Sequence, residues 1–232
     1  MKILVIDDEK PTLSMFKLFL TAYGYDVYTA EDGEKGLALF KEISPEIVFT
    51  DIKMPGMDGL EVLRRINKTD IVSEVIIITG HGDMEKAVEA LDLNASDFIN
   101  KPVERQALDS ALVRAKKRKQ MPQNLPFELS EKKREDRLAI SVKGKLTASA
   151  KEAFSFLFKT RLLNDVREVV LIFDDSFSID RSGISLLMEV TQDLKQMNIA
   201  IVMEKLSYNY VRVFQMAGID KMATLKETLQ ED

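Results

Sequence analysis

Five short apolar runs alternate with five amphipathic segments in the first half of the chain, and this alternation restricts the fold more than any other feature. The runs lie at 3–6, 27–28, 47–49, 75–78 and 98–99. The segments that follow them show helical spacing of apolar residues, and the first ends at Gly24, a residue type that commonly terminates helices. Strands that alternate with helices form parallel sheets with helices on both faces. The pattern predicts a doubly wound, five-stranded parallel α/β domain over residues 1–120.

The second half has a different order of elements. Two prolines and several polar residues at 121–126 predict a linker. A strand hairpin is predicted next, then helices and strands in alternation, and finally a short strand and a helix. The hairpin lies at 127–134 and 137–142, the helices at 148–163, 182–196 and 208–217, and the strands at 169–173 and 199–203. Residues 127–232 are therefore predicted to form a smaller α/β domain with a mixed sheet.

Composition excludes several kinds of site. The 232 residues include no cysteine and one histidine, His81, so disulfides, cysteine-ligated zinc and a multi-histidine metal site are excluded. Residues 1–120 carry 17 basic and 21 acidic side chains and residues 121–232 carry 16 and 17, so neither half has the basic excess of a nucleic-acid-binding domain. The basic run at 114–119 is interpreted as a solvated helix end. Without a signal peptide or an apolar run of about 18 residues, we expect a cytoplasmic protein with no membrane or nucleic-acid partner.

Polar residues follow four of the five predicted strands in the first half. Asp7 and Asp8 follow the first strand, Asp51 the third, Thr79 the fourth and Lys101 the fifth. Ligands of open α/β sheets bind at this carboxyl edge. Two carboxylates 4 Å apart repel by about 4 kcal/mol at an effective dielectric constant near 20, so the cluster favours a hard cation with oxygen ligands, such as Mg²⁺. Asp51 is the candidate nucleophile because a carboxylate can form an acyl phosphate, which Mg²⁺ and Lys101 would neutralise.

These residues, the run at 50–59 and the Lys101-Pro102 pair together resemble the response-regulator receiver family over residues 1–120. The resemblance implies that a sensor histidine kinase phosphorylates Asp51 and that Lys101 contacts the phosphoryl group. It also implies a cis bond between Lys101 and Pro102. The implied Mg²⁺ ligands are Asp8, Asp51 and the Lys53 carbonyl, with Asp7 acting through water.

The same resemblance assigns Thr79 and Phe98 as a switch pair, in which the hydroxyl moves toward the phosphoryl group and the aromatic ring turns inward. Plain core packing is the alternative for Phe98. Lys53 and His81 occupy positions that tune access of the hydrolytic water in receivers, and we hypothesise that Lys53 shields the acyl phosphate. An exposed loop residue is the alternative for His81.

Ser182 is the most informative residue of the second half. It lies at or near the start of a predicted helix, where free backbone N–H groups and the helix dipole favour negative charge. A phosphoserine would be tolerated there and would change the surface sharply. The alternative is a helix-capping or first-turn serine without further function.

The segment Asp180-Arg181-Ser182-Gly183, with the segments at 143–147 and 211–219, resembles the STAS domain of anti-sigma-factor antagonists. The resemblance implies that 180–183 form a partner-binding loop and that Ser182 is a candidate second phosphoacceptor. Arg181 departs from the family, which usually has a small Ser or Thr there, and this could alter recognition of Ser182 by a kinase.

The two resemblances together predict a two-component response regulator with a STAS output, which acts by binding and not as an enzyme. The expected partner is an anti-sigma factor or a serine kinase or phosphatase of a partner-switching pathway. One hypothesis is that the unphosphorylated receiver masks the Ser182 loop. The alternatives are a receiver-gated scaffold of a stressosome-like assembly and, less favoured, a ligand-binding sensor; a homodimer also stays open.

Overall fold

The computed structural model describes residues 1–80, 84–121, 125–159, 163 and 165–228. The chain divides into two compact units, Met1–Ala115 and Lys116–Asp232. Among the described residues, no helix is both long enough and apolar enough to cross a membrane.

The first unit is built on one parallel sheet of five strands in the order β2-β1-β3-β4-β5. The strands are β1 Lys2–Ile6, β2 Asp26–Ala30, β3 Ile47–Asp51, β4 Glu74–Thr79 and β5 Asp97–Asn100. The helices are α1 Lys10–Ala22, α2 Gly33–Ile43, α3 Gly59–Ile66, α4 Met84–Asp92 and α5 Arg105–Lys119. The predicted doubly wound, five-stranded parallel domain is confirmed.

Burial explains why the strands read as continuous apolar runs. All five residues of the central strand β3 are buried, and so are Ile3–Ile6 of the adjacent β1, because helices cover both faces of a parallel sheet. Chain order reverses between β1 and β3, which are neighbours although β2 lies between them in sequence. This switch point places the carboxyl ends of β1 and β3 side by side, where such sheets bind ligands.

The second unit contains a five-stranded sheet in the order β12-β11-β9-β7-β6, in which only β6 is antiparallel to its neighbour. Its strands are β6 Glu128–Arg134, β7 Arg137–Lys143, β9 Glu168–Phe173, β11 Ala200–Leu206 and β12 Thr224–Glu227. A separate parallel pair is formed by β8 Lys145–Leu146 and β10 Ser178–Ile179. The helices are α6 Lys151–Lys159, α7 Arg181–Gln196 and α8 Tyr208–Met216. The predicted mixed sheet is confirmed.

The helices of the second unit cover one face of its sheet. The chain passes from β7 to β9, then to β11 and then to β12, and each step leads to the next strand of the sheet in the same direction. Because such crossovers are right-handed, α6, α7 and α8 lie on the same side of the sheet. On the opposite face Arg137 of β7 reaches Glu204 of β11, 3.4 Å away, across the intervening strand that carries the fully buried Val170. Arg137 also pairs with Glu168 at 2.8 Å, so charged side chains lie over this face of the sheet.

Several predicted details are corrected. Helix α7 begins at Arg181, one residue before the predicted start, and Asp180 caps it, so Ser182 lies in the first turn, one of the two positions expected for it. The start of the predicted helix 148–163 is a 3-10 turn at Ala148–Ala150, and α6 follows it. A 3-10 turn at Ile219–Lys221 precedes the last strand β12, the reverse of the predicted order. Arg114 is buried instead of solvated, because it faces the carboxylate of Asp97.

Candidate functional site

Three carboxylates meet at the carboxyl edge of the first sheet. Asp7 and Asp8 follow β1, Asp51 ends β3, and each offers one oxygen within 4.8 Å of the others. Asp7 and Asp51 are buried, whereas Asp8 is exposed. Desolvation raises the pKa of Asp7, and hydrogen bonds from the Glu9 backbone N–H and from Lys101 only partly offset it. The edge therefore holds concentrated negative charge that is open to solvent on the Asp8 side.

Lys101 brings the compensating charge to this edge. Its Nζ lies 2.7 Å from Asp51 Oδ2 and 3.0 Å from Asp7 Oδ2. Burial alone would lower the pKa of Lys101, but the hydrogen bonds to Asp51 and Asp7 outweigh it, so the pKa is raised and the ammonium stays charged. The Lys101–Pro102 peptide bond is cis, as the sequence resemblance implies.

Glu9 is a member of this cluster that sequence reasoning missed. Its Oε2 lies 3.1 Å from Lys101 Nζ, and the Lys101 hydrogen bond is the main reason that the pKa of Glu9 is lowered. Its backbone N–H donates to Asp7 Oδ1 at 2.8 Å. The available signal was a third consecutive acidic residue after the first strand, where Asp7 and Asp8 already stand. Lys101 is thus held by three carboxylates.

Thr79 and Phe98, the predicted switch pair, lie on the neighbouring strands β4 and β5. Both side chains are buried, with about 1% exposure each. Among the described residues, Thr79 Oγ1 has no hydrogen-bond partner. A buried hydroxyl without a partner is unfavourable by about 1–3 kcal/mol, so Thr79 is poised to accept or donate a bond to a group that arrives at the edge.

The backbone after Asp51 is held close to the site. The Lys53 N–H points to Asp51 Oδ1 at 3.4 Å, and α3 begins with Asp58 as its cap. A Cβ at Gly59 would lie 2.1 Å from the Asp51 carbonyl oxygen, so only glycine permits this approach of α3. His81, the other candidate for control of hydrolysis, lies outside the described residues.

The donor set fits a hard divalent cation. Asp7, Asp8 and Asp51 supply carboxylate oxygens only, and one of them is solvent-exposed, as a cation that retains water ligands requires. Asp8, Asp51 and the Lys53 carbonyl remain the predicted ligands, with Asp7 acting through water.

In the second unit Ser182 lies in the first turn of α7. Its hydroxyl donates to Asp180 Oδ1 at 2.6 Å and accepts a bond from the Ala148 backbone N–H at 2.8 Å. The same Asp180 oxygen caps the helix by accepting the Gly183 N–H at 2.8 Å. A Cβ at Gly183 would lie 2.2 Å from the Leu146 carbonyl oxygen, which explains the glycine. The structure thus brings Asp180, Ser182 and Gly183 together at one helix start, with Arg181 exposed beside them.

The first unit thus combines a five-stranded parallel sheet with three carboxylates and a lysine at its carboxyl edge, a site able to bind a charged ligand. Comparison with protein families agrees: residues 3–113 match the response regulator receiver domain and residues 128–232 match the STAS domain. Residues 3–113 therefore belong to the response regulator receiver domain family and residues 128–232 to the STAS domain family, and both families are regulatory.

Individual relatives resemble the receiver half. The transcriptional regulatory protein FixJ of Rhizobium meliloti is 38% identical over 111 residues, which are 48% of this chain and 54% of that protein. The regulatory protein AtoC of Escherichia coli is 34% identical over 114 residues, 49% of this chain and 25% of that protein. This chain thus covers about half or less of the length of these relatives. The crystal structure of a receiver domain protein from Clostridium thermocellum is 42% identical, with a TM-score of 0.49 over 51% of this chain and 96% of that one.

Proposed function

We propose that the chain is a two-component response regulator whose Asp51 is phosphorylated by a sensor histidine kinase and whose STAS domain is the output. The observation that carries the proposal is the contact of Lys101 Nζ with Asp51 Oδ2 at 2.7 Å, beside two further carboxylates. A basic group held on a buried carboxylate at an open sheet edge suits phosphoryl transfer, which depends on positioning and charge neutralisation.

The reaction moves one phosphoryl group. A carboxylate oxygen of Asp51 attacks phosphorus, the bond from phosphorus to the imidazole nitrogen of the kinase breaks, and the imidazole keeps the electron pair and takes a proton. Lys101 stays charged and can follow the added negative charge. Asp7, Asp8, Asp51 and the Lys53 carbonyl would hold Mg²⁺, which supplies positive charge at the phosphoryl oxygens when bound.

The switch is proposed to begin at the Thr79 hydroxyl, which has no hydrogen-bond partner within the part of the chain that the structure describes. A phosphoryl oxygen on Asp51 offers Thr79 Oγ1 a charge-assisted acceptor, worth about 1.5–3 kcal/mol. Such an energy shifts a two-state equilibrium about 10–100-fold, and the ring of Phe98 would fill the space behind the moved hydroxyl. Lys53, two residues after Asp51, is proposed to shield the acyl phosphate from water.

The output is proposed to be the surface around Ser182, which would engage an anti-sigma factor or a serine kinase of a partner-switching pathway. Phosphorylation of Ser182 would place a dianion beside the Asp180 carboxylate, now 2.6 Å from the hydroxyl, and would remove the proton that the hydroxyl donates to Asp180. Both changes would alter the start of α7, so Ser182 is suited to act as a second, independent switch.

The phosphoacceptor is tested with the full chain, Mg²⁺ and phosphoramidate. Intact mass should show one added phosphoryl group, labile to hydroxylamine as an acyl phosphate is, and Asp51→Asn should abolish it. Asp70→Asn, which changes an exposed aspartate of the same domain, is the matched control and should label normally. Labelling that persists in Asp51→Asn would refute the assignment.

Control of the output is tested by binding. The affinity for an anti-sigma factor or serine kinase from the same cell should differ between the phosphorylated chain and Asp51→Asn. Equal affinities would exclude control by Asp51. Light scattering at rising protein concentration distinguishes the partner-switching regulator from the alternative, a stressosome-like scaffold. The particle size of a scaffold would grow with concentration, and that of a partner-switching regulator would not.

A further inference from the structure

Asp97 and Arg114 form a buried ion pair next to the proposed switch. Asp97 is the first residue of β5 and has no solvent exposure. Its Oδ2 lies 3.4 Å from Nε of Arg114, whose side chain on α5 is only 7% exposed. Burying a charge is unfavourable unless the charge is paired, so this contact electrostatically links α5 to β5.

The pair is joined to the strand that carries the switch. The second carboxylate oxygen of Asp97 accepts the backbone N–H of Phe98 at 2.9 Å. Lys101 follows three residues later and holds Asp51. A displacement of β5 that accompanies movement of Phe98 and Lys101 would therefore move the carboxylate to which Arg114 is bound.

Arg114 lies near the C-terminal end of α5, and this position determines which part of the chain the ion pair can affect. Apolar side chains of α5, including Ala107, Leu108, Ala111 and Leu112, are buried against its domain. Near the start of the helix, Arg105 Nε also donates a hydrogen bond to the Tyr23 hydroxyl at 3.2 Å. Apolar contacts of this kind allow small sliding movements of packed helices, whereas separation of a buried ion pair leaves two uncompensated charges. The boundary between the two compact units falls after Ala115, one residue beyond Arg114 and still within α5.

We propose that Asp97 and Arg114 are positioning residues that carry the phosphorylation state of Asp51 from β5 to the C-terminal end of α5. The chain continues from that end into the STAS domain. The proposal rests on the proposed function, because it assumes that Asp51 controls the STAS half. The pair acts on transmission and not on phosphoryl transfer.

The test is hydrogen exchange of the full chain, with and without phosphoramidate and Mg²⁺, in the double variant Asp97→Asn/Arg114→Gln. This variant removes both charges and so leaves neither one buried alone. The matched control is Arg105→Gln/Asp109→Asn, which removes a pair of the same residue types at 3.6 Å on the surface of the same helix. In the wild type and the control we expect phosphorylation to change protection at 116–121 and 180–190 by about fivefold or more.

In the Asp97/Arg114 double variant the change at those residues should fall below about twofold, while Asp51 is labelled at the wild-type rate and β4 still responds. A wild-type response at 116–121 and 180–190 in this variant would overturn the proposed role of Asp97 and Arg114 but leave the proposed control by Asp51 intact. Absence of any response there in the wild type would overturn the proposed control by Asp51 and this proposal with it. Slow labelling of Asp51 in the folded variant would show that the pair belongs to the phosphoryl site and would also overturn the proposal. If the double variant melts early, the isosteric Asp97→Asn is measured in its place.

Discussion

Replacement of Lys101 by methionine should destabilise the receiver domain in a pH-dependent way. The substitution keeps most of the stem but removes the ammonium that lies within about 3 Å of the Asp7 and Asp51 carboxylates. Removing one partner of a buried ion pair costs about 3–5 kcal/mol. Because 24% of the Lys101 side chain is exposed and water can partly replace it, we expect a loss of about 2–3 kcal/mol at pH 7 without Mg²⁺.

The pH dependence follows from Asp7. Burial already raises its pKa in the folded state, and the variant lacks the Lys101 contacts that lower it. An acid with a raised folded-state pKa binds protons more readily when folded, so its contribution is most favourable below the unfolded value, near 3.8, and is lost as the pH rises through the folded pKa. The deficit of the variant relative to the wild type should therefore shrink as the pH falls from 7 toward 4.

The measurement is native-state hydrogen exchange of amides in β1 and β3, which reports the opening free energy of this domain separately from the STAS half. Lys35→Met is the matched control, since Lys35 pairs with Asp32 on the surface at 2.8 Å and should leave the opening free energy nearly unchanged. A deficit for Lys101→Met below about 1 kcal/mol, or one that stays constant from pH 7 down to pH 4, would refute the reasoning.

Three further predictions concern single residues. Gly59→Ala should lower both the melting temperature and the labelling of Asp51, because its Cβ would meet the Asp51 carbonyl at 2.1 Å; calorimetry and intact mass check this. Thr79→Val should match or exceed wild-type stability, because it removes a buried hydroxyl without a described partner, yet lose the phosphorylation-dependent exchange change in β4 and β5. Ser182→Ala should cost about 1 kcal/mol in the denaturation of the STAS half, since the Ala148 N–H loses its acceptor; an unchanged midpoint would contradict the bond.

The sheet and the residues at its carboxyl edge could be predicted from the sequence, because the apolar runs that indicate the strands also show where each strand ends. Asp7, Asp51, Thr79 and Lys101 follow buried runs directly, and a parallel sheet brings such ends together whatever the loops do. Glu9 was not predictable in the same way. Its contact depends on the conformation of a long lysine that arrives from a strand about ninety residues later, and local sequence does not specify that conformation.

The sequence contained a signal that Arg114 is buried, but a second signal, for exposure, was given more weight. It stands three residues after Ala111 and seven after Ala107, in phase with the buried stripe of α5, but it also begins a run of cations that is typical of a solvated helix end. The helical phase predicted the burial of Arg114 correctly. The buried carboxylate of Asp97 requires a positive charge on the face of α5 that packs against β5. The start of α7 was misplaced by one residue for a related reason: Asp180 and Ser182 are both good caps, and only the bond from Gly183 distinguishes them.

The ion pairs over Val170 bear on how the protein behaves at high concentration. The described helices of the second unit lie on the other face of its sheet, and an apolar sheet face of this kind could stack against another copy. The Arg137–Glu204 ion pair places charges over the apolar centre of the face. The strand at the end of the sheet, β6, adds Lys132, Lys133 and Arg134, which discourage edge-to-edge growth. These charges oppose aggregation between copies of the protein. Concentrated salt screens them, so we expect a buffer of low ionic strength to be the better choice for storage.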